Sequence, residues 1–279
     1  MFKWILILLL LIFSVQTRGQ SNYIYGITLD NIDSLNDIVS SLSNLSKKPT
    51  ARIVFDEWMP ATYYLEPCTE IHNVSFIMGE LLDSYPYKNY SIIQFTDRCN
   101  DYLKTLGNIV DIWEIGNETN GEWLGNKDSV IKKLTIAHDI FKNNNKPTSL
   151  TLYYNHDCWE DSNNEMFTWV NNYLPANIKQ GLDYVFVSYY EDDCNNYQPN
   201  WNEVFDSLHT LFPNSKLGIG ECGTKLKKKK AEYMQRYYSM NIETPNYVGG
   251  YFWWYYKQDC VPYTKPLWRA LDNILKTYK

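Results

Sequence analysis

The stretch Trp113-Glu114-Ile115-Gly116-Asn117-Glu118-Thr119-Asn120-Gly121-Glu122-Trp123 runs from an apolar strand pattern straight into an Asn-Glu pair with tryptophans on either side. A strand ending there would present the Glu118 carboxylate at the edge of a sheet, beside aromatic side chains. A second apolar run, Leu217-Gly218-Ile219-Gly220, leads into Glu221 about a hundred residues later. The two stretches therefore predict two carboxylates at the carboxyl ends of two strands of one fold.

Short β-prone segments alternate with amphipathic segments along the chain, which is the pattern of repeated βα units around a parallel sheet. The eight predicted strands are residues 23–29, 51–56, 91–95, 110–115, 149–154, 184–189, 216–220 and 249–254. The predicted helices, which show the apolar period of a helix, are residues 31–45, 73–82, 100–106, 128–142, 163–173, 201–211, 228–240 and 265–277. Eight such units in about 250 residues predict a single (β/α)8 TIM barrel of the α/β class, with a doubly wound open sheet as the alternative.

The N-terminus has the pattern of a secretory signal peptide, with Lys3, an apolar run as far as Val15 and a small-residue exit near Gly19. The run is shorter than the roughly 20 residues that span a membrane, so we predict a secreted protein with no membrane association after cleavage. An uncleaved anchor is the alternative. Residues 20–279 would then form one catalytic domain.

The charge of the chain argues against some partners. Without residues 1–19 the chain has 24 basic and 32 acidic residues and a net charge of about −8, which makes a nucleic-acid partner improbable. The one basic cluster, residues 225–230, is predicted to be a solvated first turn of a helix. The sequence suggests neither a metal nor another cofactor, and a monomer is expected.

Cysteine content predicts disulfides, because an exported chain with an even number of cysteines commonly pairs them. The barrel prediction places each cysteine just beyond a strand end on one face. Pairs between neighbouring loops are then reasonable, namely Cys68 with Cys99, Cys158 with Cys194, and Cys222 with Cys260. A zinc site is the competing interpretation, but no CxxC or HxxxH spacing supports it. N-x-Ser sequons that predict a glycoprotein begin at Asn44, Asn73 and Asn89.

The two carboxylates suit one class of chemistry. Catalytic groups of eight-stranded barrels lie at the carboxyl ends of the strands, where Glu118 follows the fourth predicted strand and Glu221 ends the seventh. Hydrolysis of a glycosidic bond uses two such groups, since one protonates the leaving oxygen while the other attacks or stabilises the anomeric carbon. Glu118 would need a raised pKa, from apolar neighbours such as Trp113 or Trp123, and Glu221 would need a nearby cation to stay ionised.

With this strand order, Gly116-Asn117-Glu118 and Gly220-Glu221 resemble clan A of the retaining glycoside hydrolases, whose catalytic glutamates end strands four and seven of a (β/α)8 barrel. The resemblance implies that Glu118 is the general acid/base and Glu221 the nucleophile. It also implies that Asn117 holds the 2-hydroxyl group of the substrate.

Three further positions match the same clan. The resemblance implies that Arg52 keeps the nucleophile ionised, that Tyr190 touches it from the other side and that Trp254 forms the floor of the sugar site. One feature departs from the pattern: many relatives have a histidine near strand three or six, whereas here the predicted third strand leads into residues 94–97 and the sixth contains Ser188. The sub-family and the substrate stay open.

Aromatic residues make up 16% of the chain, more than a core of this size usually takes, and surplus aromatic rings suit the apolar faces of sugars. Trp123 and Trp58 are the main predicted binding platforms. The other candidates past strand ends are Tyr63, Tyr64, Trp159 and Tyr256. For any single one of these six residues, packing under a loop is at least as good an explanation. The sequence thus predicts a secreted, retaining, endo-acting glycoside hydrolase with a polysaccharide or oligosaccharide substrate; a non-catalytic carbohydrate-binding barrel is the alternative.

Overall fold

Eight parallel strands form a closed barrel in the computed structural model, which describes residues 23–278. Each strand pairs with its neighbour in sequence, and the first pairs with the last to close the ring. The strands are β1 (Ile24–Leu29), β2 (Thr50–Val54), β3 (Phe76–Glu80), β4 (Ile112–Gly116), β5 (Thr148–Tyr153), β6 (Tyr184–Tyr189), β7 (Lys216–Cys222) and β8 (Tyr247–Trp253). The predicted (β/α)8 barrel is confirmed and the open sheet is excluded. The predicted signal peptide, residues 1–19, lies outside the described residues.

Helices surround the barrel and connect its strands. They are α1 (Leu35–Ser43), α2 (Leu65–His72), α3 (Ile92–Leu106), α4 (Lys127–Asn143), α5 (Met166–Tyr173), α6 (Ala176–Gly181), α7 (Trp201–Leu211), α8 (Lys230–Tyr238), α9 (Tyr256–Cys260) and α10 (Pro266–Leu275). The predicted helix over residues 201–211 coincides with α7. None of the helices within residues 23–278 is long and apolar enough to cross a membrane.

The third βα unit was predicted wrongly. Residues 73–82 were expected to form a helix but contain β3, while residues 91–95 were expected to form a strand but begin α3. Ser91 caps α3 through a reciprocal pair of hydrogen bonds with Gln94, and Ile93 is 73% exposed rather than buried in a sheet. A short apolar run cannot by itself distinguish a strand from a helix, and here the capping pair decides for the helix.

The barrel has an apolar cluster inside its ring, distinct from the larger core between strands and helices. Phe186 and Phe252 meet there edge to face, with ring centroids 5.5 Å apart. Gly26 makes room for them, because a Cβ atom at this position would lie 2.6 Å from the Phe252 ring. The inner cluster consists of Ile24, Met78, Ile112, Phe186, Val248 and Phe252.

One of the three predicted disulfides is present, Cys158–Cys194. The other two predicted pairs were wrong because their cysteines do not lie in neighbouring loops beyond strand ends: two are on α2 and α3, one is within β7 and one ends α9. The four free cysteines, all buried, are Cys68, Cys99, Cys222 and Cys260. The predicted glycosylation positions Asn44, Asn73 and Asn89 are exposed, and their modification stays a prediction.

This cysteine arrangement predicts a definite thiol count. Without reductant, the folded protein should react slowly with a thiol reagent, since burial raises the pKa of Cys68 and Cys99 to about 12 and the other free thiols are also buried. After denaturation four thiols per chain should react, and all six after reduction as well. A colorimetric thiol titration measures each value. No reactive thiol after denaturation alone would mean that three disulfides exist and would contradict this arrangement.

Candidate active site

Arg52, in the middle of β2, is fully buried and contacts glutamates from three other strands. Its Nε and Nη2 atoms donate to the two carboxylate oxygens of Glu114, at 2.6 and 3.2 Å. Its Nη1 donates to Glu221 Oε2 at 2.8 Å, and Nη2 lies 3.1 Å from Glu80 Oε2. Glu114 also accepts a hydrogen bond from the Thr151 hydroxyl. One guanidinium therefore contacts three buried carboxyl groups.

Glu221 faces the barrel interior because β7 contains a bulge. Val187 pairs with Ile219 but the next residue, Ser188, pairs with Glu221, so Gly220 is the extra residue in the ladder. Ile219 packs in the outer core, and the bulge turns the following glutamate inward. Besides its contact with Arg52, the carboxylate accepts a hydrogen bond from the Tyr190 hydroxyl at 2.6 Å.

Glu118 lies just beyond β4 and is only 7% exposed. Its φ of 47° is in the left-handed region, which an L-residue other than glycine rarely adopts without a reason in the surrounding structure. Its two carboxyl oxygens contact hydroxyl groups, Ser188 Oγ at 2.7 Å and Ser84 Oγ at 3.0 Å. The turn requires Gly116, where a Cβ atom would lie 2.5 Å from the Thr119 methyl carbon.

Burial raises the pKa of both Glu118 and Glu221, but their different neighbours give the two groups different pKa values. The pKa of Glu118 rises to about 8, through burial and through the negative charge of Glu221. The pKa of Glu221 rises to about 7, because burial is partly offset by the charge of Arg52 and the hydrogen bond from Tyr190. Glu221 thus loses its proton before Glu118, and the coupled pair favours one ionised and one protonated group.

Glu80 is the least satisfied carboxyl group around Arg52. It is fully buried, and neither of its oxygens makes a hydrogen bond to the described residues. Burial raises the pKa of Glu80 well above its ordinary value, and Arg52 offsets only part of that rise. Negative charge on Glu114, Asp83 and Glu221 raises it further. Glu80 is therefore the carboxyl group of this cluster that we expect to hold a proton most readily, whereas Glu114 and Glu221 accept the hydrogen bonds of Arg52.

Glu118 and Glu221 line the same cavity, which has a volume of about 670 Å³ and opens at the carboxyl ends of the strands. This is within the usual size range of a ligand pocket. The lining residues are Asp83, Ser84, Tyr85, Glu118, Trp123, Tyr153, Tyr190, Asp192, Asp193, Asn196, Glu221, Thr224, Lys225, Leu226, Trp254 and Tyr255. Within residues 23–278 no group of three or more acidic, histidine or cysteine side chains could hold a metal ion.

The structure brings most of the predicted site residues together. Tyr190, Trp254 and Trp123 line the cavity beside the two glutamates, and the Trp254 ring lies 5.7 Å from the Arg52 guanidinium. Asn117 is buried behind the lining, where its Nδ2 donates to Asp83 Oδ1 at 3.1 Å.

Trp58 does not line this cavity. It lies in the loop after β2, is 53% exposed and stacks on Tyr90. Of the other aromatic candidates, Tyr64 and Tyr256 are buried in the core.

Aromatic rings form a row along one wall of the cavity, in which each ring contacts the next. Tyr85 and Trp123 stack with centroids 5.7 Å apart and planes 18° apart. Trp123 meets Tyr153 edge-on at 5.3 Å, and Tyr153 meets Trp159 in the same way at 5.5 Å. Tyr85 is 65% exposed, so this aromatic wall continues to the rim of the cavity. Exposed aromatic faces of such a wall can bind the C-H faces of sugar rings.

Sequence reasoning missed several residues of the site. Asp83 and Ser84 follow β3, so the misplaced third strand removed both from consideration. A signal was available, since Gly79-Glu80 after an apolar run repeats the Gly220-Glu221 pattern. The basic cluster was also only partly as predicted: Lys225 lines the cavity, and Lys230 is buried in an ion pair with Asp259 at 2.7 Å.

Comparison with known proteins identifies the fold. No family model and no curated protein matches the sequence. Solved structures do match, among them Saccharomyces cerevisiae Gas2p in complex with laminaritriose and laminaritetraose, with a TM-score of 0.59, 13% identity and 92% of this chain covered. A Gas2p mutant with laminaritetraose and laminaripentaose gives 0.60, 14% and 94%, and Gas2p with laminaripentaose gives 0.58, 12% and 93%. At this identity the likeness shows a shared barrel fold. The chain spans about two thirds of the Gas2p chains, 65%, 65% and 66% respectively.

The division of charge around Arg52 can be tested with a matched pair of variants. Glu114→Gln removes a negative charge, so the pKa of Glu221 should fall, by on the order of one unit. Glu80→Gln replaces a neutral group by a neutral group and should leave the pKa of Glu221 unchanged. A pH titration of carbon-13-labelled glutamate carboxyl groups by NMR measures both. Equal shifts in the two variants would show that Glu80 is ionised.

Proposed function

We propose that this protein is a retaining glycoside hydrolase of clan A, with Glu118 as general acid/base and Glu221 as nucleophile. The observation that carries the proposal is the division of acidity across one cavity. Glu221 accepts hydrogen bonds from Arg52 and Tyr190, whereas among residues 23–278 the carboxyl group of Glu118 is hydrogen-bonded only to the hydroxyl groups of two serines. Double displacement needs this division, since one group must donate a proton while the other attacks.

The first step breaks the glycosidic bond. Glu221 Oε attacks the anomeric carbon and forms an ester to the sugar, while the proton of Glu118 passes to the departing oxygen. In the second step the ionised Glu118 removes a proton from water, and the resulting oxygen attacks the anomeric carbon and releases Glu221. Each step inverts the carbon once, so the product keeps the β configuration of the substrate.

The position of Ser188 between the two glutamates supports a closely spaced pair, which retention requires. Ser188 is the ladder partner of Glu221 on the adjacent strand, and its hydroxyl donates to Glu118 at 2.7 Å. The two carboxyl groups thus share one serine as an immediate neighbour. An inverting enzyme would instead need room for a water molecule between a more distant pair.

The other site residues have supporting roles in this proposal. Arg52 and Tyr190 stabilise the charge of Glu221, and burial raises the pKa of Tyr190 well above its ordinary value, so its phenol stays a donor. Trp254 forms the floor of the sugar site and Trp123 one wall. Asn117 would direct its amide to the 2-hydroxyl group of the substrate, and its Oδ1 is a buried acceptor without a hydrogen bond to the described residues.

The substrate that we propose is a β-glucan, and we propose that the protein cleaves bonds within the chain rather than at its ends. Gas2p, which shares the barrel fold, has been solved with laminari-oligosaccharides, which are short β-linked glucose chains. The aromatic wall running to the rim at Tyr85 supports binding of several sugar units. Asp83, Asp192 and Asp193 line the cavity, where Lys225 is the one basic side chain of the described lining, which favours uncharged sugars over anionic ones.

We further propose that the chain is exported and acts as a monomer outside the cell. The signal-peptide pattern of residues 1–19 supports export, and the Cys158–Cys194 disulfide suits an oxidising environment. The exposed sequons are compatible with glycosylation there.

Replacing each glutamate by glutamine tests the catalytic roles. Glu221→Gln should lower kcat on a soluble β-glucan by roughly 10³-fold or more, and Glu118→Gln by roughly 10²-fold to 10⁴-fold. Glu160→Gln, an exposed position outside the cavity lining, is the matched control and should retain activity. Product size and reducing ends report cleavage, and proton NMR of the fresh product reports its anomer.

The outcomes of this experiment separate the alternatives. An initial β-anomer that disappears in both variants supports retention. An initial α-anomer would exclude the nucleophile role of Glu221. Binding of β-glucan by the parent protein without any release of sugar would instead identify a non-catalytic carbohydrate-binding barrel.

The two raised pKa values predict a bell-shaped pH dependence with a maximum near neutrality. Activity should fall toward low pH as Glu221 gains a proton near pH 7, and toward high pH as Glu118 loses its proton near pH 8. In Glu118→Gln the alkaline limb should vanish, because no titrating acid is left. Measuring kcat/KM against pH on a soluble β-glucan, whose departing oxygen needs the proton, checks this in the parent protein and in the variant. An alkaline limb that persists in the variant would assign it to another group.

A further inference from the structure

Trp58 combines solvent exposure with a strained backbone, away from the cavity. Its side chain is 53% exposed, and its φ of 62° lies in the left-handed region. A bulky residue rarely adopts this conformation, and such strain persists only where the surrounding structure fixes the chain. Strain at an exposed side chain, which gains little from burial, indicates that the position of the indole itself matters.

The loop that contains Trp58 is fixed from below by a buried arginine. Arg98, on α3, is 7% exposed. Its guanidinium donates hydrogen bonds to backbone carbonyl groups rather than to a carboxylate. The accepting oxygens belong to Phe55 at 2.8 Å, Asp56 at 2.9 Å, Met59 at 3.3 Å and Leu81 at 2.6 Å. Three of these four residues flank Trp58 in sequence, so the loop is rigidly built.

Tyr90 supports the indole from behind. The two rings stack with centroids 4.0 Å apart and planes 8° apart, and the Tyr90 hydroxyl accepts a hydrogen bond from the Trp58 backbone N–H at 2.5 Å. Tyr90 is itself 5% exposed and lies 5.8 Å from the Arg98 guanidinium. One face of the indole is therefore covered, and the exposed part of the side chain is held in a fixed orientation toward solvent.

We propose that Trp58 is a second, non-catalytic binding platform for a sugar ring of the polysaccharide, separate from the cavity. A rigid aromatic plane with one free face matches the flat C-H face of a pyranose. The sequence neighbours Asp56, Glu57 and Pro60 are also exposed, so two acidic side chains directly precede the indole in the chain. The acidic pair also disfavours an anionic polymer. This inference rests on the proposed β-glucan substrate. It adds that long chains of that substrate contact a second position on the surface.

Binding measurements in an inactive background test this platform. The parent is Glu221→Gln, to which Trp58→Gly, Trp58→Phe or the control Tyr263→Ala is added; Tyr263 is 41% exposed and packs against Trp268 elsewhere on the surface. Trp58→Gly suits the left-handed backbone, so the variant should stay folded with a similar Tm. The ligands are a soluble laminarin polymer and laminaritriose, compared by affinity electrophoresis and calorimetry.

Trp58→Gly should weaken polymer binding about tenfold, equivalent to about 1.4 kcal/mol, and leave the trisaccharide affinity unchanged. Trp58→Phe should recover part of the loss, and Tyr263→Ala should bind as the parent does. Unchanged polymer affinity in Trp58→Gly would overturn the platform, and an equal loss for both ligands would overturn its separation from the cavity. A parent that binds neither ligand would reject the β-glucan substrate itself, a failure distinct from one confined to the Trp58 variants.

Discussion

The chemistry at the carboxyl end of this barrel depends on one buried cation. Arg52 contacts Glu80, Glu114 and Glu221, whose side chains are all buried. Buried charges are tolerated when they are paired, so three carboxyl groups around one guanidinium favour protonation of one of them. Glu80 is the group that we expect to hold this proton, because neither of its oxygens makes a hydrogen bond to the described residues. The acidity of Glu221 is then set by a charge that it shares with Glu114, and the acidity of Glu118 is set in turn by Glu221.

The backbone places these groups by departing from regular geometry at two strand ends. In β7 the bulge at Gly220 turns Glu221 inward, although strict alternation after Ile219 would direct it toward the outer core. After β4, the positive φ of Glu118 directs its carboxyl group to Ser84 and Ser188 instead of along the strand. Both departures occur next to a glycine, which permits the close approach of neighbouring atoms. The Gly-Glu and Gly-Asn-Glu motifs are thus part of the geometry of the site.

The sequence was sufficient to predict the barrel, because eight βα units repeat along the chain. It was also sufficient to predict that Glu118 and Glu221 line one cavity, because both follow strands whose carboxyl ends lie at the same end of the barrel. It failed at β3, where a short apolar run suits either a strand or a helix until tertiary pairing decides. That single error hid Glu80, Asp83 and Ser84. The two unformed disulfides were predicted for a related reason, since their cysteines were assigned to loops past strand ends but lie in α2, α3, β7 and α9. Trp58 was predicted as an aromatic platform just past a strand end, but the sequence carries no sign that it lies outside the cavity lining.

The strained residues Glu118 and Trp58 follow β4 and β2, at the same end of the barrel. Each is fixed by its neighbours: Ser188 and Gly116 around Glu118, Arg98 and Tyr90 around Trp58. A flexible loop would relax such strain and lose the orientation of the side chain. Under the function proposed above, the hydrogen bonds beneath these loops would act on ligand binding through pre-organisation, since they remove conformational freedom before a ligand arrives. A substitution at Arg98 would consequently affect recognition without touching the ligand.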